Sequence, residues 1–179
     1  MKKFKKYCHV VFDEYPKDPR VRRYSNALKE NDFSIFIVCI SNSRSKNFEK
    51  LNNEYIYRVP LRKKRSSALR RLFEYCVFQI CSTMLVTYIF LVHRVKIFHV
   101  HTLPDFLVFS CFIPKLFNSR ILLDFHELFP EFMIQHRPSL DYHSALIKIL
   151  LIQEKISYKF ADNIIVFHDP ASNILKERI

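Results

Sequence analysis

The chain has 179 residues, of which 49% are hydrophobic, enough for one folded domain with a substantial core, and this composition excludes a disordered chain. With 29 Lys and Arg against 17 Asp and Glu, the formal net charge is +12, which indicates an anionic partner such as nucleic acid, a phosphate-bearing ligand or an acidic membrane surface. The chain contains no glycine, which excludes the P-loop and the glycine-rich dinucleotide fingerprint, because both need glycine where the backbone approaches phosphate.

The N-terminal stretch "MKKFKKYCHVVF" has a positive start but only a short apolar run, and Asp13 and Glu14 follow at once. A signal peptide is therefore not expected, and residues 7–12 predict a strand instead. The five cysteines include no CxxC pair and lie mostly in apolar segments, where free cysteine behaves as a small hydrophobe. A reducing, cytoplasmic location is expected.

The first half of the chain predicts a helix between two strands. Asp18 is a good N-cap and Pro19 suits the first helical position, so a helix is expected from there to Glu30. Without glycine, the left-handed helix caps are expected at Asn31 and Asn118. Apolar or β-rich runs predict further strands at 33–40 and 55–60.

The second half continues the alternation of strands and helices. Strands are predicted at 97–101, 120–125 and 163–167, and helices at 104–117, with a bend near Pro114, at 144–161 and at 170–179. Most of the strands are unbroken apolar runs, as in sheets buried on both faces. The sequence therefore predicts an α/β fold, a Rossmann-like doubly wound parallel sheet in a single domain spanning 1–179.

The apolar segment at 73–92 is nearly long enough to span a bilayer and follows a basic stretch. Five polar residues interrupt it, and the next strand must return to the same sheet, so we expect a helix packed on that sheet. The basic residues are then expected to contact anionic lipid headgroups. These residues are Arg62, Lys63, Lys64, Arg65, Arg70 and Arg71.

Polar side chains follow the predicted first, fourth and fifth strands. In an open parallel sheet, ligands bind outside the carboxyl ends of the strands, so these side chains are expected to gather at one edge. Arginines in the first turns of the first helix could bind phosphate there, although they could equally be solvated surface charges. The residues expected at this edge are Asp13, Asp18, Arg20, His101, Asp105, Asp124, His126 and Glu127.

Four segments in this order and spacing, "DPRVRRYSNALKENDFSIFIVC", "IFHVHTLPDFLV", "LLDFHELFPE" and "EKISYKFADNIIVF", resemble the N-terminal domain of family-four-type retaining glycosyltransferases of the GT-B fold. The resemblance implies an acceptor-side half of a hexosyltransferase-like enzyme, which uses a nucleotide-sugar donor and a glycan or lipid-linked acceptor, as in polysaccharide biosynthesis. It implies no cofactor or metal. It also implies a peripheral location on the cytoplasmic face of the membrane.

By this resemblance, His101, Asp124, His126 and Glu127 form the catalytic set. Asp18, Arg20 and Asp105 are the expected substrate-binding residues, with Arg20 near the donor phosphates. The chain departs from the family in two ways: the turn after the first strand has no glycine, and no counterpart of the donor-binding domain, with its pair of glutamates, is found up to Ile179. The expectation is that this chain alone transfers no sugar and that a separate donor-domain subunit could complete it.

Two other functions remain open from the residues. One is a noncatalytic membrane-surface or partner-binding module, either a relic or a subunit of a split enzyme. The other is a metal-dependent hydrolase that would use His99 and His101, on one face of a strand, together with His126 and Asp124. Nucleic-acid binding is not expected, because the basic residues are not interleaved with exposed aromatic residues.

Overall fold

The computed structural model describes residues 5–42, 45–63 and 67–178, which form one α/β unit. The strands are β1 (Lys5–Glu14), β2 (Phe33–Ile40), β3 (Phe48–Leu51), β4 (Glu54–Val59), β5 (Ile97–His101), β6 (Arg120–Phe125) and β7 (Asn163–Val166). The α-helices are α1 (Pro19–Glu30), α2 (Ala68–His93), α3 (Phe112–Leu116), α4 (Phe129–His136), α5 (Ala145–Phe160) and α6 (Asp169–Arg178), with a 3-10 helix at Asp105–Cys111 before α3.

The seven strands form one sheet in the order β3-β4-β2-β1-β5-β6-β7. All neighbouring pairs are parallel except β3 with β4. This Rossmann-like, mostly parallel sheet confirms the predicted fold class. The chain order reverses between β1 and β5, so their carboxyl ends border the crevice in which open parallel sheets bind ligands.

Two elements escaped the sequence analysis. Strand β3 is a short, mostly exposed edge strand that pairs antiparallel with β4 through a tight turn. Helix α4 has eight residues, with Pro130 in its first turn, and it lies between the strand at 120–125 and the helix at 144–161, where a loop was expected. Both are too short for a periodic pattern to stand out.

The sheet is covered on both faces. Helix α1 covers one face, where Val21 packs with apolar residues of β1, β2 and β4. The opposite face carries the larger core, to which α2, the 3-10 helix and α6 contribute, and Phe36, Phe78 and Phe98 are among its fully buried side chains. Burial on both faces explains why the strands lack polar–apolar alternation.

The chain takes left-handed backbone conformations without using glycine. The described residues with positive φ are Asp32, Asn52, Arg94 and Asn118. The expected left-handed residue at Asn118 is confirmed, whereas the expectation for Asn31 is wrong: its φ is −104°, and the following residue, Asp32, turns the chain instead. Short polar side chains tolerate this conformation best after glycine, so Arg94 is the least favourable of the four.

Helix α2 lies against the sheet, as expected, and contacts β1, β2, β4 and the 3-10 helix. By length and composition, Leu69–His93 is also the one helix among the described residues that could cross a membrane, and 28% of its most apolar stretch is buried. The parallel strands β4 and β5 precede and follow it in the same sheet. This connection favours a crossover helix over a spanning one.

Candidate functional site

The start of helix α1 brings Asp18 and Arg20 to the carboxyl end of the sheet. The Asp18 carboxylate accepts hydrogen bonds from the backbone N–H groups of Arg20 (2.8 Å) and Val21 (3.4 Å), so it caps the helix as predicted. It also accepts from the Arg20 guanidinium, at 3.4 Å from Nε and 3.2 Å from Nη2. Burial opposes ionisation of Asp18, but these hydrogen bonds outweigh it and lower its pKa.

A cleft of about 190 Å³ opens at this edge, between the ends of β1, β5 and β6. Charged and apolar side chains line the cleft together. Arg20 pairs with the Asp18 carboxylate, and Lys63 Nζ lies 2.8 Å from Asp13 Oδ2. Such a surface can donate and accept hydrogen bonds on a polar ligand. The lining residues are Val11, Phe12, Asp13, Asp18, Arg20, Lys63, Tyr75, Thr102, Leu103, His126 and Glu127.

Beneath the cleft lies a chain of hydrogen-bonded imidazoles, which we call the histidine cluster: His9, His99, His101 and His126 with Asp124. His9 Nδ1 and His101 Nε2 are 3.0 Å apart, and His101 Nδ1 and His126 Nε2 are 3.1 Å apart. The sheet register explains the alignment, because His9 lies beside His99 and His101 lies beside Asp124. The predicted meeting of His101 and His126 is confirmed.

The Asp124 carboxylate lies close to three of the four imidazoles of the cluster. Its Oδ2 lies 3.4 Å from both His99 Nε2 and His101 Nδ1, and its Oδ1 lies 3.6 Å from His126 Nδ1. Tyr7 completes the inner end, where its hydroxyl is 3.1 Å from His99 Nδ1. The cluster therefore runs from the sheet interior to the cleft.

Burial sets the protonation of the cluster. It lowers the pKa of His101 to about 3 and that of His9 well below its ordinary value, where repulsion from His101 and His99 adds to it. The pKa of His126 is also lowered, mainly by burial. Burial would raise the pKa of Asp124, but the neighbouring His101 and His99 imidazoles prevail and lower it. Burial therefore favours the neutral imidazole form of His9, His101 and His126 beside the Asp124 carboxylate.

The residues predicted for the site divide between the cleft and the interior. Asp18, Arg20, His126 and Glu127 line the cleft, as expected of groups that meet a ligand. His101 and Asp124 lie directly below it and are buried, so they reach a ligand only through His126 or an opening of the cleft.

Asp105 does not share this location. Asp105 is the first residue of the 3-10 helix, and its side chain is 1% exposed, does not line the cleft, and is repelled by Glu154 on α5. The contact of Asp105 with substrate stays a prediction, and the burial of its side chain does not favour it.

The predicted membrane-surface residues are spread over two places. Lys63 points into the cleft, whereas Arg62 and Arg70 line a shallow groove with Phe73 and Glu74, and Arg70 pairs with Glu74 at 3.3 Å. Arg71 is exposed at the start of α2. Lys64 and Arg65 lie outside the described residues.

Sequence reasoning did not include His9, Tyr7, Tyr24 or Thr102 in the site. Tyr24 packs from α1 onto the rings of His9, His99 and His101, and the Thr102 hydroxyl accepts from the backbone N–H of His126 at 3.1 Å. Of these four residues, only His9 could have been placed in the site from the sequence. It lies on a predicted central strand, and placing that strand beside the one with His99 would have aligned the two.

Two subsets of the cluster have metal-ligand spacing. One is His9, His99 and His101, all buried, and the other is His101, Asp124 and His126, and within each subset the candidate ligand atoms lie within 4.8 Å of one another. Imidazole nitrogens with a carboxylate oxygen are ligands that zinc and neighbouring transition metals accept.

Searches for known relatives by sequence find no matching family model and no matching curated protein. Among solved structures, the chain is similar to a sucrose-phosphate synthase from Thermosynechococcus elongatus, with a TM-score of 0.71 and 14% identity over 97% of this chain and 45% of that one. It is also similar to Glycyrrhiza uralensis UGT73P12 complexed with glycyrrhetinic acid 3-O-monoglucuronide, with a TM-score of 0.63 and 10% identity over 98% of this chain and 46% of that one.

Both neighbours are GT-B glycosyltransferases, so the chain has the Rossmann-like fold found in half of a GT-B enzyme. It spans a little under half the length of each. At these identities the likeness defines a fold, and the chemistry must be argued from the cleft itself.

Proposed function

We propose that the chain is the acceptor-side half of a family-four-type retaining glycosyltransferase, which transfers a sugar from a nucleotide-diphosphate sugar to a glycan or lipid-linked acceptor. The observation that carries the proposal is the polar cleft at the carboxyl ends of β1, β5 and β6, in a fold shared with GT-B glycosyltransferases. Ligands of open parallel sheets bind at this edge.

The chemistry of the cleft supports a ligand rich in hydroxyl groups. The carboxylates of Asp18 and Glu127 can accept hydrogen bonds from sugar hydroxyls, and His126 lies beside them. We assign the acceptor contact to His126 and Glu127, and we assign to His101 and Asp124 the task of holding His126 in place from below.

Arg20 is the group that suits the donor. Asp18 fixes its guanidinium through Nε and Nη2, which leaves further N–H donors of a five-donor group for a phosphate at the start of α1. The N-terminal end of a 12-residue helix adds its own positive potential there.

We further propose that this unit alone does not transfer sugar. Retaining transfer requires the donor diphosphate to be held while negative charge develops on it, and preorganised groups for that task are worth several kcal/mol. The described residues offer Arg20 and Lys63 for it, and both are already paired with carboxylates. A donor-binding unit, in the same protein or in another chain, would supply the rest.

Ligand binding can be tested by saturation-transfer NMR on the purified chain with a panel of oligosaccharides and nucleotide sugars. Glu127→Gln should weaken oligosaccharide binding with little loss of stability, since substitutions at a loop mouth usually cost under about 0.5 kcal/mol. Glu177→Gln, an exposed acid on α6, is the matched control. If no carbohydrate in the panel binds, or if both variants bind as the unchanged chain does, the acceptor assignment is wrong.

Turnover is tested separately, with nucleotide sugars and membrane extract in the presence and absence of a candidate donor-binding protein. Transfer only with the partner supports a split enzyme. Robust transfer by the chain alone would refute the half-enzyme proposal. Carbohydrate binding without transfer in either mixture would favour a noncatalytic binding module.

We further propose a location at the cytoplasmic face of a membrane, and a second observation supports the contact with a membrane surface. Helix α2 exposes an apolar stripe along its whole length, at intervals of three or four residues, and Arg70 and Arg71 lie at its start. An unpaired stripe of this size marks an interaction surface, and basic residues at its end suit anionic headgroups. The stripe consists of Leu69, Phe73, Cys76, Ile80, Met84, Tyr88 and Leu91.

The membrane proposal is tested by sedimentation with vesicles. The chain should pellet with vesicles containing anionic lipid and less with zwitterionic vesicles, and Phe73→Ser with Met84→Ser should release it. Ile152→Ser, an exposed apolar residue of α5, is the control. Equal binding by the double variant and the control variant would refute the assignment of the surface.

A further inference from the structure

We propose that the histidine cluster binds one divalent transition metal ion of the zinc class through His101 Nδ1, His126 Nε2 and a carboxylate oxygen of Asp124. The function proposed above assigns no metal to sugar transfer, so this proposal goes beyond that function and is tested independently of it.

The two distances from His101 Nδ1 to the other ligand atoms fit such an ion. His101 Nδ1 lies 3.1 Å from His126 Nε2 and 3.4 Å from Asp124 Oδ2. Bonds of about 2.0–2.1 Å in a tetrahedral zinc site place neighbouring ligand atoms about 3.3–3.4 Å apart. Slight tilting of the two rings would therefore admit the ion where the imidazoles now share a hydrogen bond.

The residues behind the three ligands are those expected around a metal. A ligating histidine almost always uses its other ring nitrogen to bind a neighbouring group, which fixes its orientation. His101 does so through Nε2, 3.0 Å from His9 Nδ1. Thr102 holds the backbone of His126 by accepting its N–H at 3.1 Å.

Asp124 is supported in the same way. Its Oδ2 lies 3.4 Å from His99 Nε2, and His99 is fixed in turn by the Tyr7 hydroxyl at 3.1 Å from Nδ1. His101 and Asp124 are thus backed by side chains of β1 and β5, and the backbone of His126 is held by Thr102, which follows β5.

An independent observation favours a cation beside Asp124. Asp124 is 3% exposed, and its Oδ2 has no hydrogen-bond partner among the residues that the structure describes. The ring nitrogens of His99 and His101 come no closer than 3.4 Å to it. A buried carboxylate oxygen in this state is rare, and a bound cation is one of the arrangements that satisfies it.

The outer subset is favoured over the deeper one because it can be reached. His126 lines the cleft, so an ion can enter from solvent and keep a fourth position open towards the cleft. His9, His99 and His101 are buried throughout. His101 is common to both subsets, and its Nε2 already meets His9.

The test uses the full chain, stripped of metal with a chelator and dialysed against Zn²⁺. We expect one zinc per chain by elemental analysis and, with Co²⁺ in its place, the visible absorption of a four-coordinate site. His126→Ala and Asp124→Asn should each weaken zinc binding by more than about 100-fold, since even an outer-shell partner is worth about 10–100-fold. His9→Asn should weaken it within that outer-shell range.

His136→Ala and His143→Ala remove exposed histidines outside the cluster and are the matched controls. Circular dichroism checks that each variant is folded, and because His126 lies at the cleft, His126→Ala keeps the test decisive if a more buried variant unfolds. The proposal is overturned if the unchanged chain retains no zinc, or if the control variants lose it as readily as His126→Ala. It is equally overturned if His99→Asn abolishes binding while His126→Ala preserves it.

Discussion

Replacing Asp105 by asparagine should stabilise the fold, and the gain should grow as pH rises. Asp105 is 1% exposed, and its Oδ1 has no hydrogen-bond partner among the described residues. Burial, followed by repulsion from Glu154 on α5, raises its pKa to about 8. Glu154 is itself compensated by Arg178, at 2.8 Å, whereas the other titratable group that faces Asp105, Tyr75 of α2, is neutral.

Proton linkage gives the direction in which the stability of the fold changes with pH. In the unfolded chain Asp105 ionises near about pH 3.9, whereas in the folded chain it stays protonated until about pH 8. Between these values the folded state binds more protons, so its stability falls as pH rises, by at most about 1.4 kcal/mol per pH unit.

Structural relaxation and water penetration lessen the effect, so we expect this group to cost about 1–3 kcal/mol between pH 5 and pH 8. Asp105→Asn removes the ionisation and nearly keeps the shape. It should already be slightly more stable than the unchanged chain at pH 5, and the difference should widen up to pH 8.

The measurement is urea unfolding at pH 5, 6, 7 and 8, followed by far-ultraviolet circular dichroism because the chain has no tryptophan. Glu30→Gln, which removes an exposed carboxylate at the end of α1, serves as the control. If Asp105→Asn and the unchanged chain lose stability in parallel from pH 5 to pH 8, the reasoning about Asp105 is refuted.

Three further predictions concern the fold, and each is checked by urea unfolding. Phe78→Ala, on the buried face of α2, should lower the free energy of unfolding by about 3–5 kcal/mol. Met84→Ala, on the exposed face of the same helix, should lower it by under about 0.5 kcal/mol. Similar losses for the two variants would mean that α2 packs differently. Asp18→Ala removes the N-cap of α1 and should lower the free energy of unfolding by about 1 kcal/mol. An unchanged urea midpoint would show that the cap does not stabilise the fold. Arg94→Gly should stabilise by about 0.5–1 kcal/mol by relieving a left-handed arginine, and a loss would show that its side chain matters more than its backbone.

Much of the architecture follows from the sequence because it depends on local patterns. The apolar runs at 33–40 and 97–101 define buried strands, and Asp18 followed by Pro19 defines the start of α1. The alternation of these elements with helices predicts a parallel sheet. Since the carboxyl ends of parallel strands share one edge, the meeting of His101 and His126 could also be expected.

Only the tertiary structure decided how deeply each polar side chain is buried and which other side chains it contacts. His9 joins the cluster because β1 pairs with β5 in the register that sets it beside His99, and register depends on contacts between segments distant in sequence. Asp105 is buried because the 3-10 helix turns it under α5, away from the cleft that its neighbours in sequence reach. Local propensity specifies an element and the direction of its ends, whereas depth and partner are set by packing across the whole fold.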